Sequence, residues 1–556
     1  QLAKASGLAT LEIMTILILT TSFKGYSRGI FVADCIFTTF FCASTRLAIR
    51  IIYSMHKRSR QTSYEKFGVY KRGQERIRLL IIGAGDAAAR VISEIQSNIN
   101  SPYEPVCCLD DDPTKYGRNL LGVPVRGPIE RLAHFVKKFN PNMILIAIPS
   151  IGGNRMREIT GYCVSTGLPF KTLPSIHSFI DGRVSINSLR DVNYEDFIGR
   201  APVKLDTENI GKYITNKTIL VTGAGGSIGS ELCRQIMKFQ PALVILVDSS
   251  EYNLHQIDLD LKLTHGKHAP VHAILGKIQD EPLMKWVFQK FHPAVVFHAA
   301  AYKHVPILEL NPWEGIFTNV VGTWVVMQCA EKSGTERMVL VSTDKAVNPT
   351  SVLGATKRLA ELMMHTYNSS VTKFMSVRFG NVVGSSGSVI QVFERQIKMG
   401  GPVTITHPDI TRYFMSIPEA CQLILQAGAL GKGKEIFVLQ MGEPVKIIDM
   451  ARDLIRLAGK EPDRDIEIIY TGLRPGEKLH EELIAEGEKV SQTPHEKIMV
   501  LTSEVQTFRA DQIEEALNEL ISVSQTFDAQ KVRLALKKYV PEYTPYTGNN
   551  TKDGVR

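Results

Sequence analysis

Four polar residues in a row, Ser342-Thr343-Asp344-Lys345, hold the most concentrated chemistry in the chain. A hydroxyl can polarise a carbonyl oxygen, a carboxyl group can deliver a proton and an amine can take one. The run therefore offers a polariser, an acid and a base side by side. Isolated, it would serve equally well as a capped turn with solvated charges, so its surroundings decide. The apolar run Met338 to Val341 precedes it and reads as a buried parallel strand. That puts the polar residues at a strand's carboxyl end, where open α/β sheets hold ligands. Asn348-Pro349-Thr350 then resets the chain, and Gly354 to Met364 reads as a helix carrying Lys357.

A second constellation lies upstream. Thr218 to Thr222 reads as a strand, Gly223-Ala-Gly-Gly226-Ser227-Ile228-Gly229 as a turn, and Ser230 to Phe239 as a helix. The next strand, Leu243 to Val247, ends at Asp248. This is the order of elements a dinucleotide needs: the glycines admit a pyrophosphate to the helix N-terminus, and the acid takes the adenosine ribose hydroxyls. A carboxylate at 248 would repel a 2′-phosphate, and no Arg follows in Ser249 to Asn253, which favours NAD over NADP. Val295 to Ala301 is another strand, whose small Ala299 and Ala300 let backbone lie against a flat cofactor; Tyr302-Lys303-His304 follows at its end.

These elements require a doubly wound α/β domain over residues 216–540. A Rossmann-like domain precedes it at 57–180: Arg78 to Ile82 is a buried-strand pattern, Gly83-Ala-Gly85 opens a helix, and strands follow at Pro105–Leu109 and Met143–Ile148. Its glycine motif alone is a weak sign of a ligand, and Asp110-Asp111-Asp112 reads equally as a turn. Residues 181–215 connect the two domains, Ile513 to Leu520 and Ala529 to Leu536 read as amphipathic helices, and 541–556 reads as a polar tail.

The net charge of +9 is not spread evenly. Residues 1–78 hold 13 Lys/Arg against 4 Asp/Glu, and the remainder balances at 52 and 52. The basic excess thus adjoins the apolar N-terminus, which points to a membrane surface rather than to nucleic acid. Leu8 to Ser22 and Ile30 to Ile52 are borderline runs against the ~20 apolar residues of a span. The cluster Arg46, Arg50, Lys57, Arg58 and Arg60 behind them is the flank expected on a cytoplasmic side. Two membrane helices within 1–56 are the expectation, with buried or surface-lying helices as the alternative. The eight cysteines form no C-x-x-C pair and no His cluster has metal spacing, so neither a disulfide framework nor a metal site is expected.

Taken together, Thr222 to Gln235, Ala299-Ala-Ala-Tyr-Lys-His304, Ser342-Thr-Asp-Lys345, Arg378-Phe-Gly-Asn381-Val-Val-Gly-Ser385, Thr411-Arg412-Tyr-Phe414 and Arg474-Pro-Gly-Glu477-Lys478 resemble the membrane-anchored bacterial nucleotide-sugar 4,6-dehydratases. These belong to the extended short-chain dehydrogenase/reductase superfamily and serve polysaccharide and glycan synthesis. The resemblance implies N-terminal membrane helices, two Rossmann-like domains, and a small C-terminal substrate subdomain on the second. It implies C5-retaining 4,6-dehydration of UDP-N-acetylglucosamine with bound NAD, at the bacterial inner membrane, and no nucleic-acid partner. A homo-oligomer is left open. Thr343 would hold the C4 oxygen, Asp344 act as acid and Lys345 as base, its pKa depressed by burial and nearby cations. Gly223, Gly226, Ser227, Ile228, Gly229, Asp248, Ala299, Ala300 and Lys357 would hold the cofactor; Lys303, Asn381, Arg412, Arg474 and Glu477 the substrate. Family members usually carry four membrane passes and two fit here, which implies more chain ahead of Gln1. One departure matters: the Tyr of the superfamily's Y-x-x-x-K is Leu353 here, with Lys357 retained. That argues against a phenolate-dependent mechanism. A C5-inverting dehydratase, a 4-epimerase, or a membrane-anchored NAD-binding sensor or scaffold are the competing readings.

Overall fold

The computed structural model describes residues 33, 36–48, 76–98, 100–149, 151–173, 189–200, 203–367, 369–502 and 510–546. The chain divides into two compact units, Gln1–Arg76 and Ile77–Arg556. In the first, residues 36–48 are helical, with Phe37, Phe40, Phe41 and Leu47 exposed. No helix among the described residues is long and apolar enough to cross a membrane. The run Leu8 to Ser22 lies outside the described residues, and Ile30 to Ile52 does so except at 33 and 36–48.

The second unit contains two sheets. The six-stranded one runs Asn119–Leu120, Val123–Arg126, Tyr103–Leu109, Ile77–Ile82, Met143–Ile146, Phe170–Thr172, all parallel except the outermost hairpin. Leu79 to Ile82 are wholly buried, as an unbroken apolar run must be when helices cover both faces of a parallel sheet. The nine-stranded sheet runs Val490–Gln492, Ile498–Leu501, Ile436–Leu439, Lys373–Arg378, Arg337–Val341, Val295–His298, Thr218–Thr222, Leu243–Asp248, Val271–Leu275. Its last seven strands are parallel, and the first two join antiparallel. The chain reverses its winding between Thr218–Thr222 and Val295–His298, and a ligand crevice is expected beyond the carboxyl ends there. Ser227–Met237 and Val352–Thr366 are the helices that follow the glycine turn and the Ser342–Lys345 run.

Three short strand pairs and the helices Val389–Lys398 and Ile447–Leu457 make a small subdomain. Its core is not its own. Phe393, Ile405, Met450 and Leu454 pack in one cluster with Met156 and Ile159 of the first Rossmann-like domain and with Tyr194 and Phe197 of the connector. The connector is thus a docking element. Gly199 lies so near Gly153 that a Cβ on either would sit 2.0 Å from the other segment's backbone. Arg200 donates to the carbonyls of Phe414, Gln440 and Met441 and pairs with Glu419 at 3.0 Å.

The described part of the C-terminal segment also differs from a free polar tail. Tyr543 is wholly buried with the helices Ala510–Ser524 and Ala529–Tyr539 in the core that covers Val352–Thr366. Glu542 pairs with Arg358 at 2.7 Å, and Thr544 N–H donates to Pro349 O. One aromatic side chain anchors the segment despite its polar neighbours.

Candidate active site

The glycine turn is as tight as its residues allow. Gly223 has φ +66°, and a Cβ there would lie 2.7 Å from the Ala300 backbone; one on Gly229 would lie 2.0 Å from Gly223 O. Gly226 begins the helix Ser227–Met237 without a side-chain cap, so its first amides remain for an acceptor. Asp248 accepts N–H bonds from Gly225 at 2.9 Å and Ser250 at 2.8 Å, which clasps the strand end to the turn and leaves acceptor capacity on both oxygens. Ser227 Oγ accepts from Ser386 N–H at 3.1 Å, and Ala299 and Ala300 are half-buried beside Gly223. This cradle, uncapped and free of side chains, fits a dinucleotide. In the six-stranded sheet Asp110 makes the same clasp to Ala84 N–H at 2.7 Å, but Lys115 Nζ also occupies that oxygen at 2.9 Å.

Two buried polar groups hold the crevice floor and were not singled out from sequence. His298 lies between Thr222 Oγ1 (2.7 Å) and Thr323 Oγ1 (2.9 Å), and burial, reinforced by Lys357, pushes its pKa down to about 3. Asn319, on a π-helical turn at Ile316–Val321, bonds both Tyr302 N–H and O and donates to Thr356 Oγ1. It fixes the loop that carries Lys303. Lys357 is buried one turn beyond the buried Leu353, and burial lowers its pKa to about 8 against the opposing charge of Glu361.

At the organising run, Ser342 N–H donates to Val377 O and Asp344 N–H to Phe379 O, an extension of the sheet beyond its last paired residues. Thr343 Oγ1 donates to Asp344 Oδ1 at 2.9 Å. Lys345 Nζ donates to the same oxygen at 2.9 Å and to Asn381 Oδ1 at 3.1 Å. Asp344 is fully buried, and its Oδ2 has no hydrogen-bond partner among the described residues. The expectation of a depressed lysine pKa is corrected here. Burial does push the Lys345 ammonium down, but the carboxylates of Asp344 and Glu481 outweigh it and the net shift is upward. Burial lowers the pKa of Lys357, Lys303 and Lys478 instead.

A cavity of about 270 Å³ opens in front of Lys345. Lys303, Asn381, Arg412, Arg474 and Glu477 all line it, drawn from four separate stretches of chain. Thr343 and Asp344 are not among its lining residues, and Asp344 bonds the lysine directly. Arg412 already donates to the carbonyls of Thr411, Lys478 and Leu479, and stands 3.6 Å from Glu477. It builds the cavity wall, whereas Arg474 is exposed. Glu477 accepts from Thr406 Oγ1 at 3.3 Å and from Arg474 N–H at 3.1 Å. Glu481, on the same wall, was also not singled out; it lies four residues past Glu477 in the run that begins at Arg474-Pro-Gly, where the signal was available.

Residues 219–503 match the family described as polysaccharide biosynthesis protein, and residues 2–174 match one described as a CoA-binding domain. The chain is 48% identical over 412 residues to the probable polysaccharide biosynthesis protein EpsC of Bacillus subtilis, covering 74% of this chain and 69% of that one. It is 34% identical to a UDP-glucose 4-epimerase of Rickettsia canadensis, over 49% of this chain and 78% of that one. It is 33% identical to an inverting UDP-N-acetylglucosamine 4,6-dehydratase of Campylobacter jejuni, over 48% and 78% respectively. With a doubly wound sheet, a glycine cradle and these relatives, the chain belongs to the polysaccharide biosynthesis protein family.

Proposed function

We propose that this protein dehydrates UDP-N-acetylglucosamine to a UDP-2-acetamido-2,6-dideoxy-4-keto-hexose, with retention at C5. The observation that carries the reading is the cavity that gathers Lys345, Lys303, Asn381, Arg412, Arg474 and Glu477 at the carboxyl edge of the sheet bearing the glycine cradle. A relative named as a UDP-N-acetylglucosamine 4,6-dehydratase supports the substrate class. The buried Leu353 supports the exclusion of a phenolate base.

Bound NAD would supply the oxidation at C4 and return the hydride to C6. The protein's own groups handle protons and charge. Arg474 and Lys303 attract the diphosphate, and the Thr343 hydroxyl serves the C4 oxygen. The ketone acidifies the C5 proton, which Lys345 removes while Asp344 protonates the departing C6 hydroxyl. For this, Lys345 must be an amine and Asp344 a carboxylic acid, the reverse of the ion pair described. The 2.9 Å contact between them makes the two forms one proton transfer apart. The elimination itself therefore needs only the pair's one shared proton. The C4 hydroxyl proton released on oxidation replaces the one that returns to C5 with the hydride at C6, and a lysine whose pKa is raised can still act as the base.

Protein stripped of cofactor and supplied with UDP-N-acetylglucosamine should form a product one water lighter, with NAD restoring activity much better than NADP because of Asp248. Mass spectrometry and NMR at C5 read the outcome. A product of unchanged mass, epimerised at C4, would replace the dehydratase by an epimerase. Equal or better rescue by NADP would remove the role given to Asp248.

We propose further that residues 1–56 hold the protein at the bacterial inner membrane with the catalytic unit in the cytoplasm, on the strength of the apolar runs and adjoining basic flank. Expressed protein should stay with membranes through high-salt and carbonate washes, while chain starting near Arg78 should be released. Release of the longer chain by carbonate would refute the anchor.

A further inference from the structure

Glu481 sits at the charged wall of the cavity with no part yet assigned to it. Its side chain is 4% exposed, with Oε1 3.6 Å from Lys345 Nζ and 3.8 Å from Arg412 Nε. Its Oε2 is buried without a hydrogen-bond partner among the described residues. A buried carboxylate with an unpaired oxygen is costly to keep, so a residue here for shape alone would be better neutral. Arg412 does not depend on this charge alone, since Glu477 also faces it and three backbone carbonyls accept hydrogen bonds from its terminal nitrogens. The cation nearest to it is Lys345.

Charged groups reach Lys345 from several elements packed on it. Its own turn contributes Asp344. The loop after Arg474 contributes Glu481 and Lys478, whose amine donates to Val347 O at 2.8 Å. The strand Thr411–Arg412 contributes Arg412, and Lys303 stands in the same cavity. Asp344 must surrender its negative charge when it takes the shared proton, and Glu481, 3.6 Å from Nζ, is then the carboxylate still paired with the lysine.

We propose that Glu481 is a positioning residue that supplies the counter-charge for the ammonium Lys345 becomes on taking the C5 proton. This rests on the dehydratase reading. In the first transfer a proton leaves Nζ for Asp344 Oδ1, giving amine and carboxylic acid. In the second, Nζ bonds the C5 proton, the C5–H electron pair becomes the C5–C6 double bond, and the C6–O bond breaks. The oxygen leaves as water with the proton of Asp344, and the pair returns to ammonium and carboxylate. Throughout, Glu481 keeps its charge and makes the amine a stronger base than its cationic neighbours alone would allow. It thereby raises the pH at which the pair loses its one shared proton.

The test compares the native chain with Glu481→Gln, which keeps shape, and Glu481→Asp, which keeps charge. Reactivity of the Lys345 amine toward an acylating reagent is measured across pH by mass spectrometry of its peptide, with no substrate needed. In Glu481→Gln the onset of reactivity should fall by about one pH unit, and in Glu481→Asp it should stay near the native value. The alkaline limb of turnover on UDP-N-acetylglucosamine should move with it. An unmoved onset in Glu481→Gln, or equal shifts in both variants, would overturn the proposal, because a role in packing alone moves neither. A shifted onset in a protein whose native form makes no lighter product would support the charge coupling and overturn the dehydratase reading instead.

Discussion

Asp344→Asn is expected to slow formation of the 4-keto product by ~10²–10⁴-fold while leaving hydrogen exchange at C5 intact. The asparagine keeps the acceptor that Lys345 and Thr343 share at 2.9 Å but cannot give a proton to the departing hydroxyl. Loss of the Asp344 charge also removes the largest opposition to burial of Lys345, so more of the lysine is amine and C5 can still be deprotonated. Substrate recovered from D₂O should carry deuterium at C5. Lys345→Met should abolish product and exchange together, since it removes the amine that takes the C5 proton beside Asn381. NMR of product and residual substrate reads both. Near-normal turnover in Asp344→Asn, or exchange persisting in Lys345→Met, would mean the acid and base roles are wrongly divided.

The largest effect on stability is expected beneath the site. Arg378 is wholly buried and its guanidinium joins Glu361 at 2.8 Å and Glu488 at 3.0 Å. Glu361, itself fully buried, also accepts from Ser342 Oγ at 2.6 Å. Arg378→Met would leave two carboxylates without their main partner and with Arg358 at 3.4 and 4.0 Å, at a cost of about 3–5 kcal/mol, measurable by urea unfolding. The sign with pH follows from Glu361. In the native chain burial raises its pKa, but Arg378 and Arg358 outweigh that and the net shift is downward. Its contribution is therefore present above the ordinary carboxylate range and lost only as pH falls through the lowered value. Without Arg378, burial prevails and protonation relieves the variant, so the difference between the two proteins should be greatest near neutrality and shrink in acid. A loss under about 1 kcal/mol at neutral pH would show that water or neighbouring groups already neutralise the pair.

What could be read in the sequence was what neighbouring residues must settle among themselves. Gly223, Gly229 and Asp248 declare a turn because no side chain fits there and because the acid ends the next strand. Strand and helix positions were recoverable for the same reason, with ends displaced where capping residues set them: Ser351, whose hydroxyl accepts from Gly354 N–H, starts its helix at Val352 rather than Gly354. What escaped depends on residues far apart in the chain. The charge state of Lys345 is decided by Asp344 beside it and by Glu481, which only the fold brings near. His298 looked like one more strand residue until Thr222 and Thr323 closed on its two nitrogens. Arg412 matched a phosphate-binding position by motif, yet three carbonyls engage it. Tyr543 escaped because prolines and threonines around it resemble a free end.

That buried tyrosine imposes an order on synthesis. Val352–Thr366, which carries Lys357, is covered by Ile513, Leu517, Leu520, Leu536 and Tyr543, all translated long after it. While the ribosome is still making the intervening chain, the outward apolar side of that helix has no native cover. The nascent second domain therefore carries a sticky face from the moment this helix emerges until Tyr543 does, and this is the interval in which holding by a chaperone would most affect the yield of folded protein.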